Sequence, residues 1–222
     1  MTTVIGPGYP VLMGARQETS RATGSRKQQP TRDRIVRSAA ALVRERGVHG
    51  AGLRQIVAHA DGPRGSLQRY FPGGKTQLIT EALELAGAEV LDETEAGLIE
   101  ADTPADAIAA IFAPWRQVLL ETNFTMGCPL AAIVIDASGD DRLRQEARAL
   151  LELWRDSVHA ALVKFGVPES TAEDDSSVLL AALEGALILS RANRSTEPLD
   201  TVRRFLTTWL MQAGANPSAP AP

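Results

Sequence analysis

Residues 51–78 read AGLRQIVAHADGPRGSLQRYFPGGKTQL, and this stretch decides the fold. It starts with an apolar stripe at helical spacing, made of Leu53, Ile56 and Val57. That spacing predicts a short helix, and the following Asp61-Gly62 pair predicts a tight turn. Pro63 suits the first position of a second short helix, which we expect to run to about Tyr70. The run Phe71–Gly74, rich in Pro and Gly, then ends that helix.

The sequence around this stretch shows the same helical spacing over most of its length. A preceding helix is predicted from about Thr31 to Arg46, ended by Gly47, and a long following helix begins near Lys75. Five more helical patterns follow residue 100, and no strand pattern interrupts them. With about nine helices in total, the predicted fold class is all-α, an N-terminal three-helix unit followed by a C-terminal helical bundle. We divide the chain into an arm expected to be disordered (1–30), the three-helix unit (31–77), the bundle (78–213) and a tail expected to be disordered (214–222).

The charge of the chain is divided unevenly between its two ends. Residues 1–80 hold 13 Lys/Arg and 4 Asp/Glu, a net charge of +9, whereas residues 81–222 carry a net charge of −13. This division indicates that the basic N-terminal part, residues 1–80, binds a polyanion and the acidic remainder does not. Alternatively, the four bases before residue 30 belong only to a basic disordered arm. Nucleic acid is favoured over a membrane surface, because no large apolar face accompanies this charge. No run approaches the ~20 apolar residues of a membrane-spanning helix.

The two short helices and their turn match the helix-turn-helix arrangement, in which one helix crosses the DNA backbone and the next enters the major groove. Arg64 falls in the first turn of the second helix, where a long donor reaches guanine O6 and N7. Gly65 lets the backbone approach closely, and Lys75 is placed to clamp a phosphate beside the amide end of the next helix. Alternatively, these are solvated charges on a helix face, the usual role of Lys and Arg. The candidate DNA-binding residues are Arg54, Pro63, Arg64, Gly65, Ser66, Gln68, Arg69, Tyr70 and Lys75.

At these residues the sequence resembles the TetR family of transcriptional regulators, above all in the strings Pro63–Leu67 and Tyr70–Lys75. Those strings, together with Gly127–Ala132, are similar to the LmrA/YxaF branch of the family. The resemblance covers about residues 31–212. It implies a homodimeric repressor that binds double-stranded DNA at a palindromic operator and is released by a small hydrophobic effector.

The chain departs from the family pattern at three places in this motif. Gln68 stands where the family commonly has Tyr, and Ala51-Gly52 stands where it favours hydroxyl residues; by resemblance, both places contact the phosphate backbone. Asp61-Gly62 stands where Gly followed by an apolar residue is common, but Asp tolerates left-handed backbone, so we expect the turn to form. These departures leave a second hypothesis open, a helical small-molecule-binding protein whose DNA binding is weakened or lost.

Half of the aromatic side chains fall between residues 112 and 165, where they form either ordinary bundle core or an apolar effector pocket between helices. The candidate ligand-binding residues are Phe112, Trp115, Phe124, Cys128, Trp154 and His159. Cys128 and His159 also raise the alternative of a thiol enzyme, but no third orienting group stands at a recognisable spacing. We therefore expect no enzyme activity. The scattered His residues predict no metal site, and no motif predicts a cofactor.

The last two predicted helices carry small residues beside large apolar ones, which lets helices pack closely. Packing within one chain explains this pattern, and the family resemblance implies instead a four-helix interface between two chains. The candidate interface residues are Glu184, Ala186, Leu189, Arg191, Phe205 and Trp209. The single Cys of the chain excludes an internal disulfide, and we expect a cytoplasmic protein.

Overall fold

The computed structural model describes residues 30–63, 65–136 and 139–215, and every regular element in these ranges is a helix, as predicted. The helices are α1 (Thr31–Gly50), α2 (Leu53–His59), α3 (Ser66–Tyr70), α4 (Gly74–Glu100), α5 (Pro104–Glu121), α6 (Pro129–Asp136), α7 (Asp141–Lys164), α8 (Glu169–Asn193) and α9 (Glu197–Ala215). Most of the predicted arm and tail, residues 1–29 and 216–222, lies outside the described part of the chain. None of the described helices is both long and apolar enough to cross a bilayer.

The first helix is broken where the sequence predicts its end. Gly47 adopts φ 73° and ψ 174°, which only glycine adopts readily, and the last turn of α1 resumes after it. A Cβ built on Gly47 would collide with the carboxylate of Asp136 at the end of α6. Gly47 therefore permits both the break in α1 and the close approach of α6.

The turn between α2 and α3 forms as the sequence predicts, but α3 is shorter. Asp61 takes the left-handed conformation with φ 49°, and the amide of Gly62 donates to the carbonyl of Val57 at 2.9 Å. The prediction that Pro63 opens α3 is wrong, because the helix begins only at Ser66. Gly65 stands immediately before the helix, and glycine costs about 1 kcal/mol relative to alanine inside a helix, which disfavours an earlier start.

Helix α4 joins the three-helix unit to the bundle without a break. It runs for 27 residues through the predicted boundary at 77/78 and packs against α1 on one side and α7 on the other. Helices α5 and α7 both begin at a side-chain cap. The Thr103 and Asp106 side chains form a capping box at α5, and the Asp140 side chain accepts a hydrogen bond from the amide of Leu143 at α7.

The bundle core lies between α5, α7, α8 and α9. Trp115 of α5 and Trp154 of α7 are at most 1% exposed, and their ring centroids lie 5.9 Å apart in a tilted arrangement. Helix α9 packs against both α5 and α8. Aromatic pairs at this distance add to the free energy of apolar burial, so this pair stabilises the contact between α5 and α7.

Candidate functional site

Helices α2 and α3 expose a polar face while their apolar residues point inward. Arg54 of α2 and both Gln68 and Arg69 of α3 are exposed. Tyr70 is partly buried, and its ring meets the edge of the buried Phe71 ring at a centroid distance of 6.5 Å. The Arg69 guanidinium lies 5.6 Å from the Tyr70 ring centroid, within the range of a cation–π interaction. This polar face is the surface that the sequence analysis assigned to DNA.

The loop before α3 is only partly described. Pro63 and Gly65 are exposed, and a Cβ on Gly65 would meet no neighbouring atom, so the backbone here is open to close approach. Arg64 and the side chain of Ser66 lie outside the described part of the chain. Their assignment to base contacts therefore stays a prediction from the sequence.

Lys75 has a partner within the protein. Its ammonium donates to the carbonyl of Val48, which follows the break in α1, at 2.7 Å. An ammonium carries three N–H donors, and this bond uses one of them. The bond fixes the start of α4 against the end of α1, and it places the Lys75 charge beside the amide end of α4.

Two arginines of the three-helix unit are matched by acids of α4. Arg32 pairs with Glu81 at 2.6 Å, and Arg37 pairs with Glu89 at 3.2 Å. Arg34 donates from Nε to the carbonyl of Ala60 at 3.1 Å. The division of the sequence at residue 80 separates Arg32 and Arg37 from their partners, so the +9 of the front half overstates the charge available to an external polyanion.

Arg44 connects the three-helix unit to the bundle. It is 6% exposed, and its Nε donates to the carbonyl of Gly127, in the loop between α5 and α6, at 3.2 Å. Burial lowers the pKa of Arg44, and the nearby acidic groups Cys128, Glu89 and Glu93 oppose that shift. Burial also raises the pKa of Glu89 to about 7, against the opposing charge of Arg37. A buried polar contact thus lies between α1 and the first residues before α6.

The predicted ligand-binding residues are distributed over three environments. Phe112, Trp115 and Trp154 belong to the closed core, and Phe124 packs on it from the loop after α5 with φ 63°. Cys128 is buried beside the carboxyl of Glu184, whereas His159 faces Glu169 at 3.5 Å. Cys128 and His159 therefore each have a carboxyl partner of their own.

The Cys128–Glu184 pair was not foreseen from the sequence. Burial raises the pKa of the Cys128 thiol well above its usual value, and the Glu184 carboxyl adds to the shift. Burial likewise raises the pKa of Glu184 to about 7, while a hydrogen bond with Cys128 lowers it. A thiol in this setting stays protonated and is a poor nucleophile.

An open groove of about 440 Å³ lies between α6, α7 and α8, and Glu184 is part of its wall. Apolar surface dominates its lining, which consists of Val134, Arg144, Arg148, Leu151, Glu152, Arg155, Ser177, Leu180, Ala181 and Glu184. This groove is not apparent from the sequence. Its residues follow ordinary amphipathic spacing on each helix, and only the packing of three helices brings them together.

The predicted dimer residues are divided between an exposed face and the protomer interior. Leu189 of α8 and Phe205 of α9 are 55% and 58% exposed. Ala186 is buried, Trp209 packs partly against the core, and Arg191 donates to the carbonyl of Thr125 at 2.9 Å. Glu184 lies at the groove, so these four residues make contacts within one protomer. The exposed apolar residues on the two helices are Val178, Ile188, Leu189, Phe205 and Met211.

A compact three-helix unit with an exposed α2–α3 face, carried on a larger helical bundle, defines a helix-turn-helix transcriptional regulator. Residues 35–82 match the model of the bacterial regulatory proteins of the tetR family, and residues 104–205 match the C-terminal domain of LmrA/YxaF-like transcriptional regulators. The chain therefore belongs to the TetR family, and it is a DNA-binding regulator rather than an enzyme.

Relatives and solved structures agree with this membership. The chain is 37% identical to the HTH-type transcriptional regulator Rv0196 of Mycobacterium tuberculosis over 193 residues, covering 82% of this chain and 95% of that protein. It is 31% identical to the HTH-type transcriptional regulator LmrA of Bacillus subtilis, covering 76% and 90% of the two chains. A TetR transcriptional regulator from Chloroflexus aurantiacus superposes with a TM-score of 0.72 at 28% identity, covering 84% and 97%.

Proposed function

We propose that this regulator is a homodimeric repressor that binds a palindromic operator and is released from it by a small effector. The polar residues of α2 and α3 carry the proposal, because Arg54, Gln68 and Arg69 are all exposed while the apolar residues of both helices pack on the core. Arg64, adjacent to this face in the sequence, is proposed to read guanine in the major groove. Lys75 is proposed to bind a phosphate through its remaining N–H donors.

The exposed apolar residues of α8 and α9 support a dimer of this chain. Isolated exposed apolar residues are common, but Ile188, Leu189 and Phe205 lie on two helices that pack against each other. A two-fold axis through this face would join α8 and α9 of two protomers in a four-helix interface. Such a dimer presents two α3 helices to half-sites about 34 Å apart, or a multiple of that distance.

The effector is proposed to shift the equilibrium between dimers that fit the operator and dimers that do not. A ligand that prefers a geometry with the two α3 helices out of register lowers operator affinity, and DNA weakens the ligand by the same factor. The buried Arg44–Gly127 hydrogen bond supports this coupling, since it joins α1 to the bundle. The buried, protonated thiol of Cys128 suits the reducing cytoplasm.

Selection of bound duplexes from a random pool tests the proposal and yields an operator for titration. Arg69→Ala and Arg64→Ala should weaken binding to the selected duplex, and Arg64→Ala should also lose discrimination against a scrambled duplex. Arg142→Ala removes an exposed arginine of α7 and is the matched control, which should bind like the wild type. Recovery of no duplex would favour the alternative, a ligand-binding protein whose DNA contacts are lost through Gln68 and Gly52.

A further inference from the structure

We propose that the open groove between α6, α7 and α8 binds an apolar molecule with a cationic nitrogen, and that the carboxyl of Glu184 holds this nitrogen. The inference rests on the proposed effector-responsive function and names the chemistry of the effector. It places the effector site outside the closed aromatic core of Trp115 and Trp154, which from the sequence was either bundle core or an effector pocket.

The apolar lining of the groove indicates that most of the ligand is apolar. Val134 of α6, Leu151 of α7 and both Leu180 and Ala181 of α8 form its apolar lining. A volume of about 440 Å³ lies within the range of small-molecule sites, about 300–1,000 Å³. A ligand with an apolar chain or ring therefore covers this surface and removes it from water.

A buried acceptor without a hydrogen-bond partner indicates that the ligand carries an N–H donor. Oε1 of Glu184 is buried and has no hydrogen-bond partner among the described residues. The neighbouring thiol of Cys128 is a weak donor and serves the same carboxyl. A buried acceptor without a partner costs free energy that a ligand N–H recovers when it binds.

The charge of the ligand follows from the surroundings of this carboxyl. Each groove arginine has an acidic neighbour on α7: Arg144 lies 2.8 Å from Asp141 and Arg148 lies 2.8 Å from Glu152, in exposed pairs. Arg155 likewise lies 3.2 Å from Asp156, and the groove residue from α6 is the uncharged Val134.

No arginine is among the causes that shift the pKa of Glu184, whose value of about 7 reflects burial opposed by Cys128. The carboxyl thus lacks a compensating cation, and a protonated amine supplies one.

The contact between Glu184 and Cys128 connects the groove to the three-helix unit. Cys128 follows Gly127, whose carbonyl accepts from Arg44 of α1, and a Cβ on Gly127 would press on Arg191 of α8. An ammonium at Oε1 of Glu184 would bind the same carboxyl group that accepts from the Cys128 thiol. Ligand binding therefore changes the contacts of the loop whose Gly127 carbonyl accepts from Arg44.

Isothermal titration of the full-length protein at pH 7, without DNA, tests the groove with 4-phenylbutylamine and 4-phenylbutanol as probes. The amine should bind about tenfold more tightly than the alcohol, because it adds a charge-assisted bond to Glu184. Comparison of two buffers with different ionisation enthalpies should show release of part of a proton, since burial keeps a fraction of Glu184 protonated at pH 7.

Glu184→Gln should abolish both the amine preference and the proton release. Glu89→Gln, which changes another buried glutamate with a pKa of about 7 outside the groove, should keep both. Val134→Trp fills the groove from its partly exposed rim and should block both probes, so the inference stays testable if Glu184→Gln fails to fold. Equal binding of amine and alcohol to the wild type, or an unchanged preference in Glu184→Gln, would overturn the inference.

Titration of the selected operator in the presence of the amine separates this inference from the proposed function. Weakened operator binding supports both the amine site in the groove and the proposed release of DNA by an effector. Amine binding that leaves operator affinity unchanged supports the groove and refutes its coupling to DNA. Intact operator binding with no amine binding refutes the groove alone.

Discussion

Replacement of Arg44 by methionine removes the buried guanidinium that joins α1 to the loop before α6. The Nε of Arg44 donates to the Gly127 carbonyl at 3.2 Å, and the side chain is 6% exposed. A hydrogen bond from a charged group contributes about 1.5–3 kcal/mol, and a buried carbonyl left without its donor costs a further ~1–3 kcal/mol. Methionine recovers part of this by filling the volume. We therefore expect a net loss of about 2–4 kcal/mol in the free energy of unfolding.

Urea unfolding followed by circular dichroism measures this loss directly. In thermal unfolding, the same change corresponds to a fall in Tm of roughly 5–15 °C for a chain of this size. Arg46→Met is the matched control, because Arg46 lies on the same helix, is about half exposed and pairs with its neighbour Glu45. The control should stay within about 0.5 kcal/mol of the wild type, since exposed pairs contribute little. If Arg44→Met is as stable as Arg46→Met, the structural role assigned to Arg44 is wrong.

The remaining predictions concern the break in α1, the buried acids, the dimer face and the DNA face. Gly47→Ala should lower the free energy of unfolding by roughly 1–3 kcal/mol, measured in urea, because alanine disfavours φ 73°; an unchanged midpoint would contradict this. The folded-state pKa of Glu184, about 7, lies above the ordinary glutamate value of 4.5, so its stabilising contribution is complete below about pH 4.5 and is lost as the pH rises through about 7. Glu184→Gln should therefore flatten the pH dependence of urea midpoints measured between pH 5 and 8, and an equal slope would refute the shift. Phe205→Glu should convert a dimer to monomers in sedimentation velocity, whereas Ile99→Glu, at a 79% exposed site on α4, should not; a dimeric Phe205→Glu would exclude this face. Lys75→Ala should weaken all duplexes similarly and reduce the salt slope by about one, and an unaltered slope would remove its phosphate contact.

Features set by neighbouring residues could be predicted from the sequence. The break at Gly47 and the left-handed Asp61 follow from the φ preferences of single residues, and the spacing of Ile56 and Val57 gives α2. The start of α3 could not be placed, because Pro63 favours an early start and Gly65 opposes it, and the rules of helix initiation do not rank the two.

Features set by tertiary packing could not be predicted from the sequence. Nothing in the sequence relates Cys128 to Glu184, which are separated by more than fifty residues and meet only when α8 packs beside the loop before α6. The same limit affected the charge argument, since Arg32 and Glu81 pair across the position at which the sequence was divided. The groove was missed because each of its helices contributes residues that look like ordinary amphipathic surface or core.

The hydrogen bond between Arg44 and Gly127 bears on the engineering of hybrid regulators. Exchange of the DNA-reading unit between relatives requires a crossover point, and the continuous helix α4 offers an obvious one after residue 77. Such a crossover takes Arg44 from one parent and the Gly127 loop from the other. A chimera in which the donor unit carries a different residue at position 44 would leave that carbonyl without its donor. Transplanting the loop with the donor unit is therefore a design rule for hybrids built on this scaffold.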